Sequence, residues 1–109
     1  MEQERLFELH AEVCKTLSNP VRLRIINELQ DGEMTVGAMA KKLDIRQAHV
    51  SQHLAVLRQR GVVKTRRDSQ NIYYGISNPK IVKACSLIRE VLLEQLQKDQ
   101  TIMAESRKR

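Results

Sequence analysis

The sequence predicts a mainly α-helical domain that carries one small β-hairpin. Apolar residues recur at helical spacing through most of the 109 residues, whereas one short segment, VVKTRRDSQNIYYGI, alternates with period two around a polar turn. Hydrophobic residues make up 41% of the chain but aromatic residues only 3%, so the core must be filled by Leu, Ile, Val, Ala and Met. Such a core suits packed helices better than a sandwich of sheets. The length suffices for one core and not for two, and a single domain is expected.

The first helix is expected from Glu4 to Leu17, where Leu6, Leu9, Val13 and Leu17 recur every three to four positions with Phe7 and Cys14 beside the stripe. Ser18-Asn19-Pro20 ends it and starts the next, with Asn19 as N-cap and Pro20 in the first helical position, where a missing N–H costs nothing. The second helix runs to about Gln30 with Val21, Ile25, Ile26 and Leu29 inward, and Asp31-Gly32 turns the chain. Thr35 caps a short third helix through Leu43, which buries Val36, Met39, Ala40 and Leu43. A tight Asp44-Ile45 link leads into the fourth helix, where Val50, Leu54 and Leu57 form the inner stripe and Arg46, Gln47, His49, Ser51, Gln52 and Arg58 lie outside it. Gly61 supplies the left-handed residue that stops this helix.

The hairpin turns at Asp68-Ser69-Gln70-Asn71 with Arg66 and Arg67 near its tip. Tyr73 and Tyr74 fall on opposite faces of its second strand, and at least one of them is expected in the core. Ser77-Asn78-Pro79 repeats the cap-then-proline signal and launches a last helix to about Gln97. Its apolar positions cover more than one face, which exceeds what the core of one small domain can bury. The first and last helices are therefore expected to form a homodimer interface. Residues 1–98 would be the folded, dimerising domain, and residues 99–109, ending in a basic cluster, are expected to fray.

Charge placement bears on function. Residues 41–70 hold eight basic and two acidic residues, whereas residues 1–40 hold four basic and seven acidic, against a whole-chain charge of +6. A basic patch confined to the fourth helix and the hairpin points to a polyanion at that face. The short link between the third and fourth helices makes them cross steeply, so that the fourth projects as a probe. Gln and Ser on its outer face suit base edges, while Arg58, Arg60 and Lys64 suit phosphates or acidic neighbours. An enzyme is not expected, because no nucleophile is paired with a base, no glycine-rich phosphate loop occurs, and two of the three histidines lie on the fourth helix. Cys14 and Cys85 are too few for a disulfide framework or a tetrahedral zinc site, and no metal or cofactor is expected. The acidic N-terminus lacks an apolar run and no stretch is long enough to span a membrane, which points to the cytoplasm.

The segments LSNPVRLRIINEL, MTVGAMAKKLDIRQAHVSQHLAVLRQRGVV and RRDSQNIYYGI follow one another in an order that resembles the ArsR/SmtB family of winged-helix repressors. The resemblance covers roughly nine-tenths of the chain. It implies a winged helix–turn–helix of about five helices, acting as a homodimer on palindromic operators in double-stranded DNA and released by an inducer. By position it places Arg46, Gln47, Ala48, His49, Ser51 and Gln52 at the major groove and Arg66, Arg67 and Gln70 on the wing. His53 either holds the helix–turn–helix through a hydrogen bond or touches DNA.

The chain departs from the family's metal sensors. Members that sense arsenic or cadmium carry a cysteine pair in the third helix, where Gly37-Ala38-Met39-Ala40 stands here. The last helix offers Lys83, Ser86, Arg89 and Glu90 in place of the Asp and His pairs of zinc sensors. The resemblance thus shifts toward thiol-based members, with Cys14 and Cys85 as a candidate redox or reactive-sulfur switch, although both also suit plain packing. Two other readings stay open: a winged-helix interaction module that does not read DNA sequence, and a repressor whose metal or small-molecule inducer binds elsewhere.

Overall fold

The computed structural model describes residues 2–107. The elements follow in the order α1 (Gln3–Leu17), α2 (Pro20–Leu29), α3 (Val36–Leu43), α4 (Gln47–Gln59), β1 (Val63–Asp68), β2 (Asn71–Ile76) and α5 (Pro79–Arg107). Where one domain was expected, the described residues form two compact units, one up to Pro79 and one from Lys80 onward. The second unit is α5 beyond Pro79, a helix that runs to Arg107 instead of ending near Gln97. Nothing between Gln97 and Arg107 stops a helix: the stretch has no Gly or Pro and is rich in Gln, Lys, Met, Ala and Glu, which propagate one well. The rest of the basic tail, Lys108 and Arg109, lies outside the described residues.

In the first unit, three helices converge on a core of Ile25, Ile26 and Leu29 from α2, Met39 and Leu43 from α3, and Val50, Leu54 and Leu57 from α4. Val62 and Val63 close it at the start of the hairpin. Local signals set the ends of these helices. The Asn19 side chain accepts from the Val21 and Arg22 backbone N–H groups at 2.9 and 3.2 Å, and Thr35 Oγ1 accepts from Ala38 N–H at 3.2 Å. Between α3 and α4 the chain reverses through Asp44, which takes a left-handed conformation (φ 55, ψ 50). Gly61 ends α4 at φ 75, a conformation that costs an L side chain dearly. β1 and β2 pair antiparallel from Val63↔Ile76 to Asp68↔Asn71. A single bridge, Met34↔Tyr74, stitches the hairpin to the loop before α3. Tyr73 and Tyr74 are both half-buried, so neither fills the core as expected; one lies on the Lys64 face and the other is held mainly by its backbone.

The stripe expected on α1 is only partly covered: Leu9, Val13 and Leu17 are half-buried. Leu6 and Phe7 are more than half exposed, as are Leu87, Ile88, Val91, Leu92, Leu93 and Leu96 on α5. Among the described residues of α1 only Thr16 is buried, its hydroxyl donating to the Glu12 carbonyl at 3.0 Å.

Truncating the fully buried Leu54 to Ala should cost about 3 kcal/mol, and removing the cap with Asn19→Ala about 1 kcal/mol, in chemical denaturation. A smaller loss at Leu54 than at Asn19 would mean that α4 is not anchored through its apolar stripe.

Candidate nucleic-acid interface

Burying Val50, Leu54 and Leu57 fixes which way α4 faces. At 100° per residue, Ala48, Gln52 and Ala55 must point away from the core, with Ser51 on one shoulder of that face, and all four are exposed. His49 sits on the other shoulder, and Gln47, nearer the buried stripe at the start of the helix, is exposed as well. The Gln47 amide oxygen lies where a Cβ on Gly37 of α3 would meet it at 3.7 Å, so the α3 surface beneath it is bare backbone. Arg46 occupies the N-cap position with no side-chain cap, and α4 carries no acid in its first turn. Its first turn thus presents backbone N–H groups and a guanidinium together, the arrangement that favours a phosphate.

The scaffold behind α4 is tied by charged side chains. Arg24 Nη2 donates to the Leu43 carbonyl at 2.9 Å, taking up one of the free acceptors at the end of α3, and Lys42 pairs with Glu28 at 3.1 Å. Arg22 Nε donates to His53 Nδ1 at 3.1 Å while its Nη1 donates to the Thr16 carbonyl at 3.0 Å. Of the two roles foreseen for His53, the structure displays the hydrogen bond. Burial first, then the Arg22 charge and His49, push the His53 imidazole below the ordinary 6.5, because all three disfavour a second positive charge there. The His49 and His53 rings lie 4.9 Å apart.

On the wing, neighbouring arginines take opposite faces of β1. Arg66 stands across from Tyr73 and Arg67 across from Ile72. Arg66 is drawn back: its Nε donates to Glu33 at 3.1 Å and its guanidinium carbon lies 4.8 Å over the Tyr73 ring. Glu33 itself crosses Gly75, where an added Cβ would come within 3.2 Å of its Cγ. Arg67 and Gln70 are exposed, and Arg67 has no ion pair among the described residues. The structure therefore brings Arg46, Gln47, Ala48, His49, Ser51 and Gln52 onto one projecting helix and keeps Arg67 and Gln70 open on the wing, while Arg66 is engaged within the chain. Arg22 and Glu33 escaped the sequence reading. Arg22 stood within the LSNPVRL motif next to the cap, which signalled only a helix start, and Glu33 stood in a loop whose partner could not be guessed.

A helix–turn–helix whose second helix buries one stripe in the core and exposes the rest, with a basic hairpin following it, is a winged helix–turn–helix. Residues 17–66 match the family described as Helix-turn-helix domain. An HTH-type transcriptional regulator of Mycobacterium tuberculosis is 38% identical over 88% of this chain and 85% of its own. Its crystal structure superposes with a TM-score of 0.76 over 90% of this chain and 97% of that one, at 35% identity. A biofilm growth-associated repressor of Agrobacterium fabrum is 44% identical over 67% of this chain and 62% of its own. The solution structure of a homodimeric winged helix-turn-helix DNA-binding domain from Mycobacterium bovis matches with a TM-score of 0.78 at 30% identity, covering 87% of this chain and 88% of that one. The chain belongs to the ArsR-type family of winged helix–turn–helix transcriptional regulators.

Glu33→Gln should leave stability within about 1 kcal/mol, because the ion pair it breaks is well exposed. It should also free Arg66 and raise affinity for any duplex about threefold, with a steeper salt dependence in a fluorescence titration. Unchanged affinity with an unchanged salt slope would show that Arg66 stays on Tyr73 without its carboxylate.

Proposed function

We propose that this regulator is a homodimeric repressor that reads a palindromic operator through the outer face of α4. The observation that carries the reading is the exposed patch of Gln47, Ala48, Ser51 and Gln52 outside a fully buried stripe. Gln pairs bidentately with adenine, Ser donates or accepts, and the small Ala48 admits close approach to a thymine methyl. His49 flanks the patch, and Arg46, Arg67 and Gln70 hold phosphates on either side. The A. fabrum relative is named a repressor and the M. bovis structure a homodimer, which supports the same reading here. The exposed leucines of α5 and the Leu6-Phe7 pair of α1 supply apolar surface for pairing two copies, with residues 1–98 as the functional domain. Half-sites would then lie roughly 34–36 Å apart.

A gel shift on duplex from the chain's own upstream region, run across a salt series, tests this. Gln47→Ala should flatten the preference for the chosen sequence over a scrambled one, whereas Arg67→Ala should weaken both about equally. Binding that ignores sequence and disappears with moderate salt would overturn the reading.

The control we infer is oxidation or reactive sulfur at the two thiols. Cys14 is exposed on α1 and Cys85 buried on α5, both as free cysteines, so a reagent reaches Cys14 first. Polysulfide treatment should lower operator affinity of the native protein and leave the Cys14→Ser, Cys85→Ser double variant unaffected. Equal loss in both would place the switch elsewhere.

A further inference from the structure

Arg22 and His53 are 31 residues apart in sequence and meet behind the reading helix. The bond between them has a fixed direction. A guanidinium carries five N–H donors and no acceptor, so the nitrogen it touches must hold a lone pair. With Arg22 Nε donating to Nδ1, the His53 ring is neutral and keeps its proton on Nε2. The same guanidinium donates to the Thr16 carbonyl in the last turn of α1, so one side chain on α2 joins α1 to the shoulder of α4. His53 lies one helical turn from His49 on the flank of the row that faces outward, and a rotation of α4 about its axis would carry the whole row with it.

We propose that Arg22 and His53 form a latch, closed only while His53 is neutral, that sets the rotation of α4 and so makes discrimination between DNA sequences pH-dependent. Both are positioning residues, since neither needs to touch DNA. The charged or titratable groups acting on the ring are Arg22 from α2 and His49 from its own helix; α1 contributes the uncharged Thr16 carbonyl through Arg22, and no charged group of α3 or β1 acts on it. Protonating His53 sets N–H against N–H and one cation beside another. The sign follows from the lowered pKa: the latch is intact above the ordinary 6.5 and is lost as pH falls toward the folded protein's lower value.

The sign also separates this device from simple charge. Acidification adds positive charge, which by itself strengthens binding to every duplex. An opened latch instead lowers the ratio of affinity for a selected sequence over a scrambled one.

The DNA readout rests on the operator-reading function proposed above, and a second readout does not. The probe is a duplex selected from random-sequence DNA on the full-length protein, compared with its scrambled counterpart between about pH 7.5 and about pH 5.5. The native ratio should begin to fall below 6.5, by part of the roughly tenfold loss that full protonation of His53 would bring, the worth of one charge-assisted hydrogen bond. His53→Asn, which offers an amide oxygen near the Nδ1 position and does not titrate, should hold the ratio at both pH values, while Arg22→Gln should lower it already at the higher pH. A native ratio that stays flat or rises, or a His53→Asn variant that falls in parallel with it, overturns the proposal. In the free protein, long-range proton–nitrogen NMR should show the His53 ring protonated on Nε2 and titrating below 6.5; a ring protonated on Nδ1 overturns the latch whether or not DNA is bound. If no duplex is selected at all, the operator-reading function fails, and the tautomer still decides the latch.

Discussion

Everything at the interface depends on the burial of Val50, Leu54 and Leu57, all fully inaccessible, against α2 and α3. A helix cannot bury one stripe without aiming the opposite one, so the same three residues that anchor α4 decide which side chains meet the outside. Each buried side chain contributes about 1.5–3 kcal/mol, far more than any polar contact on the outer face could return by rotating the helix. The outer face is thus free to be chosen for recognition, because the inner face alone holds the helix. Its uncapped start at Arg46 fits that division: the stability that a cap would add is left out at the end of the helix that presents its backbone N–H groups.

The basic segment is divided in the same way. Among residues 41–70, Lys42 pairs with Glu28, Arg60 with Glu12 and Arg66 with Glu33, so acids of the first forty residues neutralise part of the excess. Lys41, Arg46, Arg58, Lys64 and Arg67 form no ion pair among the described residues. The pairs do geometric work that their modest energies conceal. Lys42–Glu28 and the Arg24 bond to Leu43 brace α3 on α2, and Glu33–Arg66 braces the wing on the loop before α3. Apart from Lys41 at the end of α3, the open cations remain on α4 and the wing, where their fields are not cancelled locally.

Elements with strong local signals were legible from the residues. Asn19-Pro20, Thr35 and Gly61 state helix ends through hydrogen bonds and a backbone conformation that involve only near neighbours, and the period of α4 states its inner face. The turn at Ser69-Gln70 and the register around it follow from the same kind of local chemistry. What stayed hidden depends on distant partners. Nothing within RRDSQ distinguishes an arginine that folds back onto Glu33 from one that stays open, since the acid lies 33 residues away. Tyr73 and Tyr74 illustrate the same limit: alternation assigns them to opposite faces, but how deeply each is covered depends on Arg66 and Met34. The run of α5 beyond Gln97 is hidden for the opposite reason: the stretch is largely polar, and helix propensity alone extends it.

The bonds from α1 to α4 give the N-terminal helix a role beyond the exposed pair Leu6 and Phe7. Arg22 links the Thr16 carbonyl to His53, and Glu12 reaches Arg60 at the end of α4 at 3.6 Å. Two attachments at separate points along α4 resist rotation as well as translation, which one alone could not do. The second is long and exposed, so the buried end of the pair, at Thr16 and Arg22, must carry most of that resistance. A displacement of the last turn of α1 would therefore reach the reading helix through a guanidinium held at both ends, and any partner that packs on the exposed Leu6 and Phe7 of α1 would act on α4 along the same route. Rotating the Gln47–Gln52 face by even part of a residue step would misalign two hydrogen-bonding rows at once, which makes sequence discrimination more sensitive to this linkage than overall affinity, carried by charges that tolerate such a shift.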